Sequence, residues 1–133
     1  MNPVATCHCG ETQVRLPRAP TSAKSCNCSF CARIGAVWAY FTPEEVELGA
    51  KGARTYSASN GTNRHHFCGR CGMHVWGDSP DWASVYNADG TPKAGFEAGA
   101  MPTDRIVGVN LRLVDGLDWT RIEVEAVDGR NNW

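Results

Sequence analysis

Cys7-His8-Cys9-Gly10 near the start of the chain and Cys68-Gly69-Arg70-Cys71-Gly72 at its middle are the two stretches on which the fold turns. Each is a short cysteine pair followed by glycine. Two cysteines two or three positions apart can point both sulfurs at one ion. The glycine that follows relieves the tight turn, because it alone adopts positive φ cheaply. Two such pairs make the tetrahedral four-thiolate site that zinc occupies. Cys7, Cys9, Cys68 and Cys71 joined in this way tie the N-terminal strand to the middle of the chain. Between them lies a third stretch, Cys26-Asn27-Cys28-Ser29-Phe30-Cys31, with three sulfurs of its own. Three ligands plus one free position is the usual arrangement of a catalytic zinc, whereas four ligands close a structural one.

The cysteine count supports metal over other uses. There are seven cysteines in 133 residues. An odd number cannot all pair as disulfides, and a reducing compartment keeps thiols reduced. Four plus three divides the seven into one closed zinc site and one open one. Three other readings stay open at this point. The middle cluster could be three free thiols beside a single zinc. It could be closed by a histidine, with His8, His65, His66 and His74 as candidates. Iron–sulfur ligation also uses four cysteines.

Outward from the clusters the pattern is mainly β. Val14 and Leu16 alternate with polar neighbours in Thr12 to Leu16. Ala36 to Phe41 (AVWAYF) reads as a buried strand. Arg54 to Ser57, Arg64 to Cys68, Met73 to Gly77, Trp82 to Tyr86 and Arg105 to Val114 continue the series. Ile122, Val124 and Ala126 alternate with Glu123 and Glu125, which predicts a last, half-exposed strand. The one helix signal is Thr42-Pro43-Glu44-Glu45, with Thr42 as N-cap, Pro43 at the first position and Glu45 closing a capping box. Gly49 and Gly52 limit that helix to about two turns. Residues 87–103 form a long, polar, glycine-rich loop.

Composition narrows the function classes. At 42% hydrophobic and 20% charged residues, the chain has an ordinary globular balance, expected to form a single domain over residues 1–133. A net charge of −1 provides no basic surplus for nucleic acid. No apolar run reaches the ~18 residues of a membrane span. The N-terminus has neither the basic start nor the apolar stretch of a signal peptide. The expectation is a cytoplasmic protein with no nucleic-acid and no membrane partner. A homo-oligomer stays open.

The order C-x-C-G, then C-x-C-S-x-C followed by Gly35-Ala36, then F-C-x-x-C-G, resembles the glutathione-dependent formaldehyde-activating enzyme family, which also includes centromere protein V. The likeness extends to Val109-Asn110-Leu111-Arg112, Asp115-Gly116 and Asp128-Gly129-Arg130-Asn131-Asn132-Trp133. The resemblance implies a β-tent fold, two small antiparallel sheets held by zinc. It also implies the division made above, with Cys7, Cys9, Cys68 and Cys71 structural, and Cys26, Cys28 and Cys31 at the working zinc. The activity it implies joins formaldehyde to glutathione.

The function expected on this basis is a zinc-dependent carbon–sulfur lyase type of chemistry on a glutathione, or related thiol, adduct of a small carbonyl. The alternative is a non-catalytic zinc module that binds a protein or a small thiol. A third reading is a redox or zinc-storage protein using labile thiolates. Arg33 and Arg70 are candidates for the glutathione carboxylates, because arginine offers paired donors. Their simpler role is charge compensation of a thiolate-rich site. His65 and His66 fall on opposite faces of a strand, unless one turns to the open zinc. Of five tryptophans, Trp38 and Trp76 are expected in the core, and Trp82 either there or beside the long loop. Trp119 and Trp133 are expected to pack the tail onto the sheet, and residues 128–133 could instead reach a second subunit.

Overall fold

Val14 sits fully buried between exposed Gln13 and Arg15, and that alternation builds the first well-defined strand in the computed structural model, which describes residues 2–133. In chain order the strands are β1 (Val4–Thr6), β2 (Gln13–Arg15), β3 (Ser22–Cys26), β4 (Trp38–Phe41) and β5 (Glu47–Gly49). They continue as β6 (Ala53–Tyr56), β7 (Arg64–Cys68), β8 (His74–Pro80), β9 (Arg105–Asn110) and β10 (Glu123–Val127). Two short helices, α1 (Ser29–Ile34) and α2 (Gly129–Asn132), complete the elements that matter here.

The fold is mainly β, as expected, and it has two sheets. They are not two small antiparallel sheets, however. One is three-stranded, β1-β2-β5, and the other seven-stranded, β10-β3-β4-β9-β8-β7-β6. Most neighbours are antiparallel, but β10 runs parallel to β3 with Glu123 opposite Ser22 and Val127 opposite Cys26. The core draws Ala5, Val14 and Leu16 from the small sheet and Ala39, Phe41, Val75, Val107 and Val109 from the large one. Cys7 and Cys68 belong to the same cluster of buried side chains. The large sheet therefore has an inner face toward this core and an outer face.

Alternation sorts side chains between those faces. Ala39 and Phe41 of β4 point inward, so Trp38 and Tyr40 lie on the outer face. Across the strands, Tyr40 stands opposite Gly108, Gly108 opposite Gly77, Gly77 opposite His65, and His65 opposite Tyr56. The middle of this outer row carries no side chain. A Cβ at Gly108 would lie 3.2 Å from Tyr40 Cε1, and one at Gly77 would lie 3.0 Å from the Arg64 carbonyl.

Several expectations need correction. Thr42 to Glu45 forms a turn and no helix. Half of the capping box is present, since the Thr42 N–H donates to Glu45 Oε2 at 2.8 Å. The helix does not propagate because Glu47–Gly49 is recruited into β5, where Leu48 pairs with Val14. A sheet ladder outweighs one capped turn of marginal helix. Trp82 to Tyr86 is also not a strand. Trp82–Ser84 winds into a 3-10 turn, with the Ser84 N–H and Oγ both donating to the Asp81 carbonyl. β9 ends at Asn110 rather than Val114, because Asn110 Oδ1 accepts from the Arg112 N–H and starts another 3-10 turn, Leu111–Leu113. Val124 is 43% exposed, so the apolar half of the last strand does not face the core along its length. β10 lies at the sheet edge. β3 went unread because SAKSC has no apolar alternation, and β1 and β5 are only three residues each.

Candidate metal centres

The four-cysteine cluster forms where β1 and β7 end. The Cys7 carbonyl accepts from the Gly10 N–H at 3.0 Å, and the Cys68 carbonyl accepts from the Gly72 N–H at 2.8 Å. Gly10 and Gly72 both adopt left-handed φ, at 84° and 81°, which closes the two turns as the sequence predicts. Cys7, Cys9, Cys68 and Cys71 then bring their sulfurs within 4.8 Å of one another. Cys9 Sγ stands 3.7 Å from both Cys7 Sγ and Cys68 Sγ. A tetrahedral ion with Zn–S bonds of about 2.3 Å requires S···S separations of about 3.8 Å. All seven cysteines are free thiols, so no disulfide competes for these sulfurs.

Backbone donors tune this group. The Thr12 N–H donates to Cys7 Sγ at 3.2 Å. The Cys71 and Arg70 N–H groups hold Cys68 down to about 6 against the opposing effect of burial. Cys71 is lowered by the Cys9 N–H and then the Met73 N–H. Cys9 receives help from the Glu11 backbone, yet burial and the neighbouring Cys68, Cys7 and Cys71 thiols push it up to about 11. Four acidic hydrogens crowded into one small volume resist leaving together unless a cation replaces them. The donor set and its spacing fit a metal ion and are consistent with zinc.

The middle cluster is built differently. Cys26 ends β3, Cys28 is the N-cap of α1, and Cys31 lies in the first turn of that helix. Cys28 Sγ takes the role usually filled by a serine or aspartate oxygen, accepting from the Cys31 N–H at 3.4 Å. Gly35 ends the helix one turn later. The three sulfurs again lie within 4.8 Å of one another. Among the described residues no histidine, carboxylate or further cysteine joins the group. This set also fits a metal ion, with three protein donors. Burial pushes Cys31 up to about 12, although the Trp38 indole N–H donates to its sulfur at 3.3 Å and opposes the rise. Burial raises Cys26 as well. Cys28 is lowered in spite of burial, because the Cys31 N–H holds its thiolate.

The histidines take places of their own. His65 and His66 separate to opposite faces of β7. His66 stacks on Trp76 at 4.6 Å and bonds Asp78 Oδ2 at 2.5 Å and Thr55 Oγ1 at 2.9 Å, so both ring nitrogens are engaged. Asp78 also binds Arg64 and Arg105 and stays ionised below the usual carboxylate range because of these three partners, although burial opposes them. His65 stacks on Phe30 of α1 at 3.7 Å, and His74 meets the same ring edge-on at 5.3 Å. Burial, then the neighbouring His74, drives His65 down to about 4. His8 is exposed on the first cysteine turn.

Arg33 lies on exposed α1 and donates to the Ser29 carbonyl at 2.8 Å, while exposed Arg70 belongs to the four-cysteine turn. A cation that sequence reasoning missed is Lys24. It shares the outer face with Cys26, stands opposite Trp38, and its ammonium is 5.8 Å from the Tyr40 ring centroid. Its signal was unreadable without β3. Trp76 is in the core as expected. Trp38 is buried too, but on the outer face, where it serves Cys31. Half-buried Trp82 donates to Asn63 Oδ1 at 3.0 Å.

Comparison with known protein families matches the model of the glutathione-dependent formaldehyde-activating enzyme over residues 2–100. The chain belongs to that family. The matched span contains both cysteine clusters of this family member and stops before β9, β10 and α2. A comparison with curated proteins gives no match. Among solved structures, a Rhodobacter sphaeroides protein determined by a structural genomics programme aligns with a TM-score of 0.62. It is 24% identical and covers 93% of this chain and 99% of its own, a likeness of fold. No helix among the described residues is long and apolar enough to cross a membrane.

Proposed function

We propose that this family member is a zinc-dependent carbon–sulfur lyase type of enzyme, acting on the adduct of glutathione, or a related thiol, with a small carbonyl such as formaldehyde. The observation that carries this reading is the unequal pair of clusters. Cys7, Cys9, Cys68 and Cys71 offer four sulfurs, and Cys26, Cys28 and Cys31 offer three. The first set completes a tetrahedron, and the second leaves one position for an outside ligand. A zinc ion held by three thiolates supplies the charge that keeps an incoming thiol deprotonated near neutral pH and favours a soft donor over water.

The chain's own residues account for orientation. Lys24 shares the outer face with Cys26 and Arg33 lies on α1 with Cys31, and both cations suit the carboxylates of glutathione. Arg70 is tested beside them. In the synthetic direction the thiol gives up its proton, its sulfur forms a bond to the carbonyl carbon as the C=O π bond opens, and the carbonyl oxygen takes up a proton. In the reverse direction the carbon–sulfur bond breaks and that proton leaves. The protein works in the cytoplasm as one domain, with a small-molecule thiol as partner.

Calorimetry of glutathione and of S-methylglutathione against zinc-loaded protein tests the reading. The methylated form has no thiolate to offer, so it should bind much more weakly. Cys28→Ser should abolish the glutathione heat while the protein stays folded. Equal affinities for the two ligands, or none for either, would replace the lyase with a binding module.

A further inference from the structure

The chain after β10 lies outside the span matched by the family model, and it returns to the middle cysteine cluster. The parallel pairing of β10 with β3 puts Val127 opposite Cys26, so the next residues of both strands run side by side. Asn27, the single residue between Cys26 and Cys28, is then held on every polar group it has. Its N–H donates to the Val127 carbonyl at 3.1 Å. Its side-chain Nδ2 donates to Asp128 Oδ1 at 2.9 Å. Its Oδ1 accepts from the Arg130 N–H at 2.9 Å, and its carbonyl accepts from Arg130 Nε at 3.1 Å. Asp128 is itself fixed as the N-cap of α2, accepting from the Asn131 N–H and from Asn131 Nδ2. A loop of six or so residues that carries three thiols is thus gripped by a segment 101 positions away.

Gly129 supplies a second, independent contact. A Cβ there would lie 2.8 Å from Cys26 Sγ and 2.9 Å from Trp133 Nε1. Glycine is needed at this place for close approach, since its φ is not among the positive ones. The bare Cα of Gly129 therefore lets the Cys26 sulfur and the Trp133 indole both approach it closely. Trp133 otherwise stays 64% exposed. The tail therefore packs on its own chain's thiol cluster.

We infer that residues 128–133 are a positioning clasp for the three-cysteine site, holding Cys26 and Cys28 in the geometry that binds the metal ion. The inference rests on the reading that this cluster binds a metal, and not on the lyase activity. Three ligands have less redundancy than four. A cluster on a short loop loses affinity steeply when its sulfurs are free to move. Groups that orient metal ligands are typically worth 10–100-fold in metal affinity.

Cobalt(II) titration reads this directly, through the thiolate charge-transfer and d–d bands. The Cys28→Ser protein supplies the spectrum of the four-cysteine site alone, and the difference from wild type reports the three-cysteine site. Gly129→Ala and Asp128→Ala should each weaken cobalt at the three-cysteine site by about 10–100-fold. The four-cysteine bands should be unchanged and show that each variant is folded. Asp128→Asn keeps an acceptor oxygen for Asn27 and should restore affinity close to wild type. Wild-type affinity in both Gly129→Ala and Asp128→Ala would overturn the clasp. So would parallel loss of affinity at both sites, which means general destabilisation. Uptake of a single cobalt by the wild-type protein would instead remove the second metal site itself, and the clasp with it.

Discussion

The two cysteine clusters share a residue type and little else. Cys7 and Cys68 are buried in the core, at 3% and 0% exposure, and join the small sheet to the large one. The sulfurs of Cys9 and Cys68 meet across 59 positions of sequence. The middle cluster is local. Its three half-buried cysteines lie within one strand end and one helix turn, on the outer face of the large sheet. A metal bound in the first place removes much chain entropy and replaces core that a short chain cannot otherwise supply. A metal bound in the second place constrains few residues. What it gains is access. Under the proposed function the same chemistry is used once to hold the fold and once to meet a ligand, and burial with loop length decides which.

The largest expected effect tests that division. Cys9→Ser or Cys71→Ser should abolish or nearly abolish folding, because structural zinc is worth on the order of 10 kcal/mol in apparent free energy. Cys28→Ser should fold with a melting temperature near wild type. Elemental analysis of protein purified without chelator should find about two zinc ions per chain in wild type and about one in Cys28→Ser, following the four-plus-three division of the sulfurs. Equal losses of melting temperature in all three variants would erase the distinction between the clusters.

A smaller effect separates the sheet from both metal groups. Asn110 is buried, and its Nδ2 donates to the His74 carbonyl at 3.0 Å while its Oδ1 accepts from the N–H of Arg112 at 3.2 Å. Asn110→Ala leaves these backbone groups without partners and should cost about 2 kcal/mol. Urea denaturation should show the same loss in the wild-type and Cys28→Ser backgrounds, since the residue belongs to the fold-holding region. A loss that disappears in the Cys28→Ser background would join Asn110 to the middle cluster.

The last effect is one of pH and is absent at neutrality. Burial holds His65 at about 4 in the folded chain, and an unfolded histidine titrates near 6.5. Between these values the unfolded chain binds a proton that the folded chain refuses, so stability falls as pH drops from about 6.5 to about 4. His65→Phe keeps a ring to stack on Phe30 and removes the titration. Its stability relative to wild type should rise steadily as pH drops across that window, measured by urea denaturation at each pH. A constant difference would mean that His65 does not bury its neutral form.

The cysteine turns were legible from residues alone, because C-x-C-G and C-x-x-C-G dictate local geometry and glycine supplies the only cheap left-handed φ. Val14, the Ala36–Phe41 run and Arg64–Cys68 were legible because alternation or continuous burial leaves a period in the sequence. The helix expected at Thr42 and the strand expected at Trp82 failed for the opposite reason. Their local signals were sound, but Glu47–Gly49 found a strand partner in β2, and Asp81 gathered the backbone after it into a turn. Four cysteines could be assigned to one site by spacing, since a closed tetrahedron needs only two pairs. The surroundings of the other three depended on residues that carry no local signal. Lys24 reaches the outer face only because the polar stretch SAKSC becomes a strand, and Trp38 meets Cys31 only because α1 covers it. Asp128 and Gly129 come to Asn27 only because β10 lies parallel to β3. Composition and spacing determined that the cysteines fall into two unequal groups, each able to hold a metal ion. Which side chains stand around the open one was decided by long-range strand pairing, whose partners lie up to about a hundred residues apart and leave no mark on either segment alone.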